Sequence, residues 1–490
     1  MTKTAIQSPT RLSQPGRLRF LLRDSTLYGG AAAISKAFSL ITFPLLARHF
    51  TVTDYGIFDY FSVLIGLLAL LFIFGQDSAV ARYFYEYEDA DERKQLISQS
   101  LIFQLAVLAV FLPLLWLNAS WLTGLMIDAS DRVLLFKLAL LQLPFLLLIN
   151  FSQNLLKWTF ERSRFLTLSL GSTVLNASLL SISILVFDYG IPGVLTASLL
   201  VYIVFSALGL FFVRKWLVLP KGFRRLLEML PFAIPCGAIS VASAFSPTLE
   251  RTLTNHLLGI EPLGLYAAAT KIAMLIGLLV SAFQTAWGPF ALSLYKQTDA
   301  GQTYNQVLRL FTISMCLAVL FITLLAQPLI HILASNNYNG AVVVVFPLVM
   351  GLAIQAISWI TEIGISLSKR SYLNLYAYLA AIIMTLTGIW FLTPVFGLLG
   401  VGLGVLLGLI IKALMASWLA QRAYPLPWCY KSAILLISLT LVIGLLSIWI
   451  GKTIGIAASN LLLGTSIIFI LSVNWQQYSS VFIKKNSQQS

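Results

Sequence analysis

The chain has 490 residues, 59% of them hydrophobic and only 10% charged, with a mean hydropathy of +0.88. A soluble domain carries about 25% charged residues, so this composition excludes an ordinary soluble enzyme and places the chain in a membrane. The net charge of +14 does not imply a nucleic-acid partner, because the basic residues are scattered between apolar runs and form no dense tract.

Residues 1–24 hold Lys3, Arg11, Arg17, Arg19 and Arg23, with only the short apolar run Phe20-Leu21-Leu22. They read as a cytoplasmic tail, partly an amphipathic helix on the inner membrane surface, and not as a cleavable signal. A bilayer core of about 30 Å needs roughly 20 apolar residues per helix. By that measure fourteen spans follow, near 25–47, 56–76, 95–117, 133–157, 165–187, 191–213, 230–256, 264–290, 306–331, 340–366, 372–392, 396–420, 430–450 and 454–474. The fold class is therefore all-α, a polytopic membrane protein.

Lysines and arginines set the expected orientation. With the N-terminus inside, cytoplasmic segments and the adjoining inner span ends (Arg309 and Lys431) hold 23 of them and outside connections only Arg48, Arg132 and Lys452. The even number of spans returns Lys484-Lys485 to the cytoplasm, as the positive-inside bias requires. Trp116, Trp158, Trp390, Trp449 and Trp475 sit near span ends, as in an interfacial belt.

The stretch Thr248 to Lys271 joins the seventh span to the eighth and carries Glu250-Arg251 inside apolar surroundings. A weaker copy of its design, Arg48-His-Phe-Thr-Val-Thr-Asp-Tyr-Gly-Ile57, joins the first span to the second. A shift of 208 residues brings Gly29 onto Gly237, Gly56 onto Gly264, Gln76 onto Gln284 and Arg162-Ser163 onto Arg370-Ser371. This register predicts an internal duplication, with six-helix bundles at 25–213 and 230–424. A cytoplasmic linker at 214–229 joins them, and a helical hairpin with a cytoplasmic tail follows at 425–490.

Charges at membrane depth are expensive and mark pathways or partners. Lys36, Lys137, Lys157, Arg251, Lys271 and Lys412 lie inside spans, against the embedded acids Asp59, Glu250 and Glu362; Asp77 marks an inner end. Lys137, Lys157 and Glu362 are within reach of span ends and read as snorkelling. Lys36, Arg251, Lys271 and Lys412 are the candidate substrate-binding cations, and Glu250 and Glu362 the candidate ion-coupling acids. Each of these residues has a structural alternative, an ion pair that holds the bundle together, such as Arg251 with Glu250 or Glu362, or Glu250 with Lys271 or Lys36.

Proline removes a helical hydrogen bond and permits bending. Pro231, Pro235, Gly237 and Pro247 in the seventh span, with Gly29, Gly30 and Pro44 in the first, are the hinge candidates. His49, His256 and His331 read as ordinary interfacial residues. Cys236, Cys316 and Cys429 read as inert packing residues, with no disulfide framework and no metal spacing. No P-loop, catalytic loop or soluble domain is present, so the expectation is a non-enzyme without cofactor or metal.

Leu46-Ala-Arg-His-Phe-Thr-Val-Thr-Asp-Tyr-Gly56, Phe74-Gly-Gln-Asp-Ser-Ala-Val-Ala-Arg82, Glu250-Arg251 and Leu258-Gly-Ile-Glu-Pro-Leu-Gly-Leu-Tyr-Ala-Ala-Ala-Thr-Lys-Ile272 resemble the Wzx-type oligosaccharide flippases. These polysaccharide biosynthesis proteins belong to the superfamily that includes multidrug exporters and the lipid II flippase. Glu250 stands where many relatives have aspartate. The resemblance implies two six-helix bundles around a central cleft. It also implies export of an oligosaccharide carried on polyprenyl pyrophosphate across the inner membrane. The partners it implies are that lipid-linked oligosaccharide, membrane lipids, and a polysaccharide polymerase or glycosyltransferases. The excess of embedded cations over acids suits an anionic headgroup. A drug or metabolite exporter of the same superfamily is the alternative, with a membrane polysaccharide polymerase behind it.

Overall fold

The computed structural model describes residues 30–486 except 32–33, 36, 88, 128–131, 295–299, 369 and 371. Every regular element among them is helical. Thirteen helices are long and apolar enough to cross a membrane. They correspond to the second through fourteenth predicted spans; the first is described in part, ending as helix α1 at 37–49.

The first half runs α2 (Val52–Ile73), α3 (Gln76–Glu86), α4 (Ala90–Leu117), α5 (Ala119–Ile127), α6 (Val133–Leu140), α7 (Leu143–Trp158), α8 (Arg162–Leu185) and α9 (Gly190–Val213). Local chemistry explains several boundaries. Thr51 caps α2 by accepting from the Asp54 amide at 3.1 Å, satisfying a donor that the helix cannot. Asp89 caps α4 in the same way. α2 ends close to the predicted inner limit of the second span, because Phe74 and Gly75 both take positive φ, 42° and 72°, and α3 follows at once. The expected outer connection after Asn118 holds the short helix α5.

The second half runs α10 (Arg224–Leu258), α11 (Ile260–Leu294), α12 (Ala300–Leu324), α13 (Ala326–Leu333), α14 (Val342–Thr361), α15 (Ile363–Leu367), α16 (Leu373–Phe396), α17 (Leu398–Ala423), α18 (Tyr430–Thr453) and α19 (Ile456–Asn486). α10 continues as one helix through Pro231, Pro235 and Pro247.

By packing, the chain forms two compact units, residues 1–267 with 374–382 and residues 268–373 with 383–490. The first unit thus takes in α10 and the opening of α11. Its α10 lies along α2 and α3. Gly75 and Gly237 allow this approach: a Cβ on Gly237 would meet the Phe74 carbonyl oxygen at 2.7 Å. In the second unit α14 packs along α17, and the α18–α19 hairpin packs on α12 through Ile313, Leu320, Leu463 and Ile470.

Candidate functional site

The deepest charges of the first unit gather where α10 crosses α2. Glu250 and Arg251 are neighbours on α10, so their side chains diverge by about 100° around the helix. Arg251, 5% exposed, donates from Nε to Asp59 Oδ2 at 2.7 Å. Its Nη1 donates to the Pro247 carbonyl at 3.1 Å, and its guanidinium carbon stands 5.6 Å from the Tyr266 ring centroid. Glu250 accepts the Tyr266 hydroxyl on Oε2 at 2.7 Å and the Ser246 hydroxyl on Oε1 at 2.9 Å. Next to Asp59, the Tyr60 hydroxyl donates to Thr252 Oγ1 at 2.8 Å, since Thr252 uses its own hydrogen on the Thr248 carbonyl.

The sequence left the partner of Arg251 open among the embedded carboxylates. Asp59 on α2 holds the guanidinium, in place of the adjacent Glu250. A residue 192 positions away is the nearer neighbour because Asp59 projects from a helix that lies directly along α10. Glu250 is bound by two hydroxyls.

A second buried pair lies in the second unit. Glu362 occupies the turn between α14 and α15 and accepts from Lys412 Nζ on α17 at 3.0 Å. The Ser358 hydroxyl donates to the same carboxylate oxygen at 2.6 Å. Lys412 is 1% and Glu362 9% exposed, so neither snorkels; each neutralises the other inside the bundle. Ser358, Thr361 and Ser417 beside this pair, with Gln421 and Ser438, line a mainly apolar cavity of about 640 Å³ between α12, α14, α17 and α18.

Lys271 is half-buried on α11, while Lys36 and Gly29 lie outside the described residues. Lys137 stands 5.4 Å over the Trp116 ring and Lys157 5.4 Å over the Phe165 ring, positions that suit snorkelling stems. His49 bonds the Leu45 carbonyl, His331 bonds Asn336, and His256 is exposed. The three cysteines are free thiols. Gly30 opens onto empty space, Pro44 lies within α1, and Gly237 is a contact residue against Phe74.

Sequence reasoning named Asp59 as an embedded acid without giving it a role. It missed Tyr266 and Tyr60, whose signal was only that tyrosine hydroxyls buried in hydrocarbon need partners.

This arrangement holds charge in the protein interior as ion pairs and hydroxyl–carboxylate bonds. Residues 21–295 match the family of polysaccharide biosynthesis proteins. The chain is 22% identical over 409 residues to a Shigella flexneri protein named "Putative O-antigen transporter", with 80% of this chain and 95% of that one covered. Its fold is similar to that of the lipid II flippase MurJ in an inward closed conformation, with TM-score 0.71 and 14% identity over 92% of this chain and 99% of that one. It is also similar to a multidrug resistance MATE family transporter of the MOP superfamily, with TM-score 0.66 and 15% identity over 79% of this chain and 94% of that one. At those identities the solved structures speak for the fold alone. The family match covers more than half of the sequence, and the chain belongs to the polysaccharide biosynthesis protein family.

Proposed function

We propose that the protein is a flippase that moves a polyprenyl-pyrophosphate-linked oligosaccharide from the cytoplasmic to the outer leaflet of the inner membrane. The observation that carries this reading is the similarity to the Shigella flexneri protein over nearly that protein's whole length. The buried charges support it. Arg251, Lys271 and Lys412, with Lys36, supply cations within spanning helices, where an anionic headgroup needs compensation. A guanidinium can grip a phosphate through two parallel hydrogen bonds, whereas a lysine acts as a point charge.

In the described state Arg251 is held by Asp59 and Lys412 by Glu362. Substrate binding is then an exchange in which a pyrophosphate displaces a carboxylate. The released carboxylate, or Glu250, becomes available to a coupling proton or sodium ion. Moving one charge through 100 mV is worth about 2.3 kcal/mol, so an interior-negative membrane drives an anionic headgroup outward without nucleotide hydrolysis.

The test is reconstitution. Purified protein in liposomes carrying a polyprenyl-pyrophosphate-linked oligosaccharide should speed the appearance of glycan in the opposite leaflet, read with an impermeant glycosidase. No acceleration over empty liposomes, combined with efflux of an organic-cation dye, would replace this reading with a drug exporter.

A further inference from the structure

Five helix ends of the first unit converge on a cavity that none of the charges above uses. The end of α1, the first turn of α2, the start of α6, the end of α8 and the start of α9 enclose about 490 Å³. That volume falls in the range of small-molecule sites, roughly 300–1,000 Å³. Its polar lining is His49, Asp54, Arg132 and Asp188; its apolar wall includes Phe50 and Ile191. α9 starts here and runs 24 residues, about 36 Å, to the basic connection at 214–229 that the Lys/Arg bias assigns to the cytoplasm. The cavity is therefore at the opposite end of the unit, on the outer side by the same bias.

We infer that this cavity is a carbohydrate-binding site that receives the sugar portion of the exported oligosaccharide at the outer face; the inference rests on the flippase reading. The charge balance decides against the pyrophosphate. Two carboxylates, Asp54 and Asp188, face one guanidinium, Arg132, so an anion gains no net attraction. A metal ion is disfavoured too: the Asp54 oxygens already accept Thr51 Oγ1 at 2.7 Å and Arg132 Nη1 at 3.2 Å, and no group of three metal-ligating side chains occurs among the described residues.

Sugar hydroxyls both donate and accept, which requires donors and acceptors side by side. Arg132 supplies donors and Asp188 supplies acceptors. The apolar wall offers the C–H face of a sugar ring a dry surface. Asp188 is held at φ 48°, an uncommon conformation for a residue with a side chain, and such positions collect at binding sites. Phe187 and Tyr189, on either side of it, stack on one another with ring centroids 5.3 Å apart and 8° between planes, which braces the turn.

The test uses the full-length protein in nanodiscs, titrated with free galactose, mannose and N-acetylglucosamine by saturation-transfer NMR, with inorganic pyrophosphate as the anionic probe. Asp188→Gly removes the carboxylate and suits the positive φ; Arg132→Gln removes the guanidinium. At least one neutral sugar should bind, and each variant should weaken it about tenfold, with unchanged thermal unfolding for Asp188→Gly as the folding control. Absence of binding by all three sugars, binding unaffected by Asp188→Gly, or tighter binding of pyrophosphate at this site would overturn the proposal. Sugar binding by a protein that does not flip lipid-linked oligosaccharide would defeat the flippase reading and leave the site standing. Flipping without sugar binding would do the reverse.

Discussion

Gly56 on α2 and Gly264 on α11 lie backbone against backbone. A Cβ on Gly56 would stand 2.8 Å from the Gly264 nitrogen, and one on Gly264 would stand 1.9 Å from the Val52 carbonyl oxygen. The 208-residue register treats these two positions as mates, and in the fold they touch. Backbone cannot yield to a methyl group as a flexible side chain can. Gly264→Ala should therefore cost about 1–3 kcal/mol, the usual range for overpacking. The measurement is thermal unfolding in detergent, where an unchanged midpoint would contradict the close approach.

Removing one member of a buried ion pair leaves a bare charge in hydrocarbon. Arg251→Ala should destabilise the protein by about 3–5 kcal/mol by stranding Asp59, and Arg251→Lys should recover part of the loss. The double change Asp59→Asn with Arg251→Gln should be more stable than Arg251→Ala, because neither member of the ion pair is left charged without the other. If Arg251 also binds the headgroup, this double variant should reach the membrane in normal amount and still fail to flip. Normal flipping by it would restrict Arg251 to a structural role.

Lys412 and Glu362 should behave as one unit. In a double-mutant cycle, Lys412→Met and Glu362→Gln should show a coupling of about 0.5–3 kcal/mol, since each single change strands the other group. Additive effects on unfolding would mean that the 3.0 Å pair contributes no interaction of its own.

The orientation makes a separate prediction. A reporter active only outside the cytoplasm should be silent when fused after Lys221 or Ser490 and active after Asn337. The opposite result at any of these sites would overturn the Lys/Arg assignment and, with it, the outer placement of the cavity lined by Arg132 and Asp188.

The sequence by itself determined which segments are spans. Thirteen of the fourteen predicted spans coincide with helices of membrane-crossing length, and the first falls partly outside the described residues. The physical reason is local: in hydrocarbon each backbone must satisfy its own polar groups, so about 20 apolar residues in a row become a helix wherever they sit. Thr51 and Asp89 cap their helices through equally local contacts, with partners within one turn.

Only the tertiary structure decided which buried charges meet. Asp59 and Arg251 are 192 positions apart, and Glu362 and Lys412 are 50 apart. An embedded charge announces that it needs a partner, but several carboxylates were within chemical reason for Arg251. The choice of Asp59 follows from α2 lying along α10, an approach that Gly75 and Gly237 permit by letting backbones come close. Helix contact in a membrane is set by such packing, because burial of apolar surface offers little preference between one neighbour and another when the solvent is itself hydrocarbon.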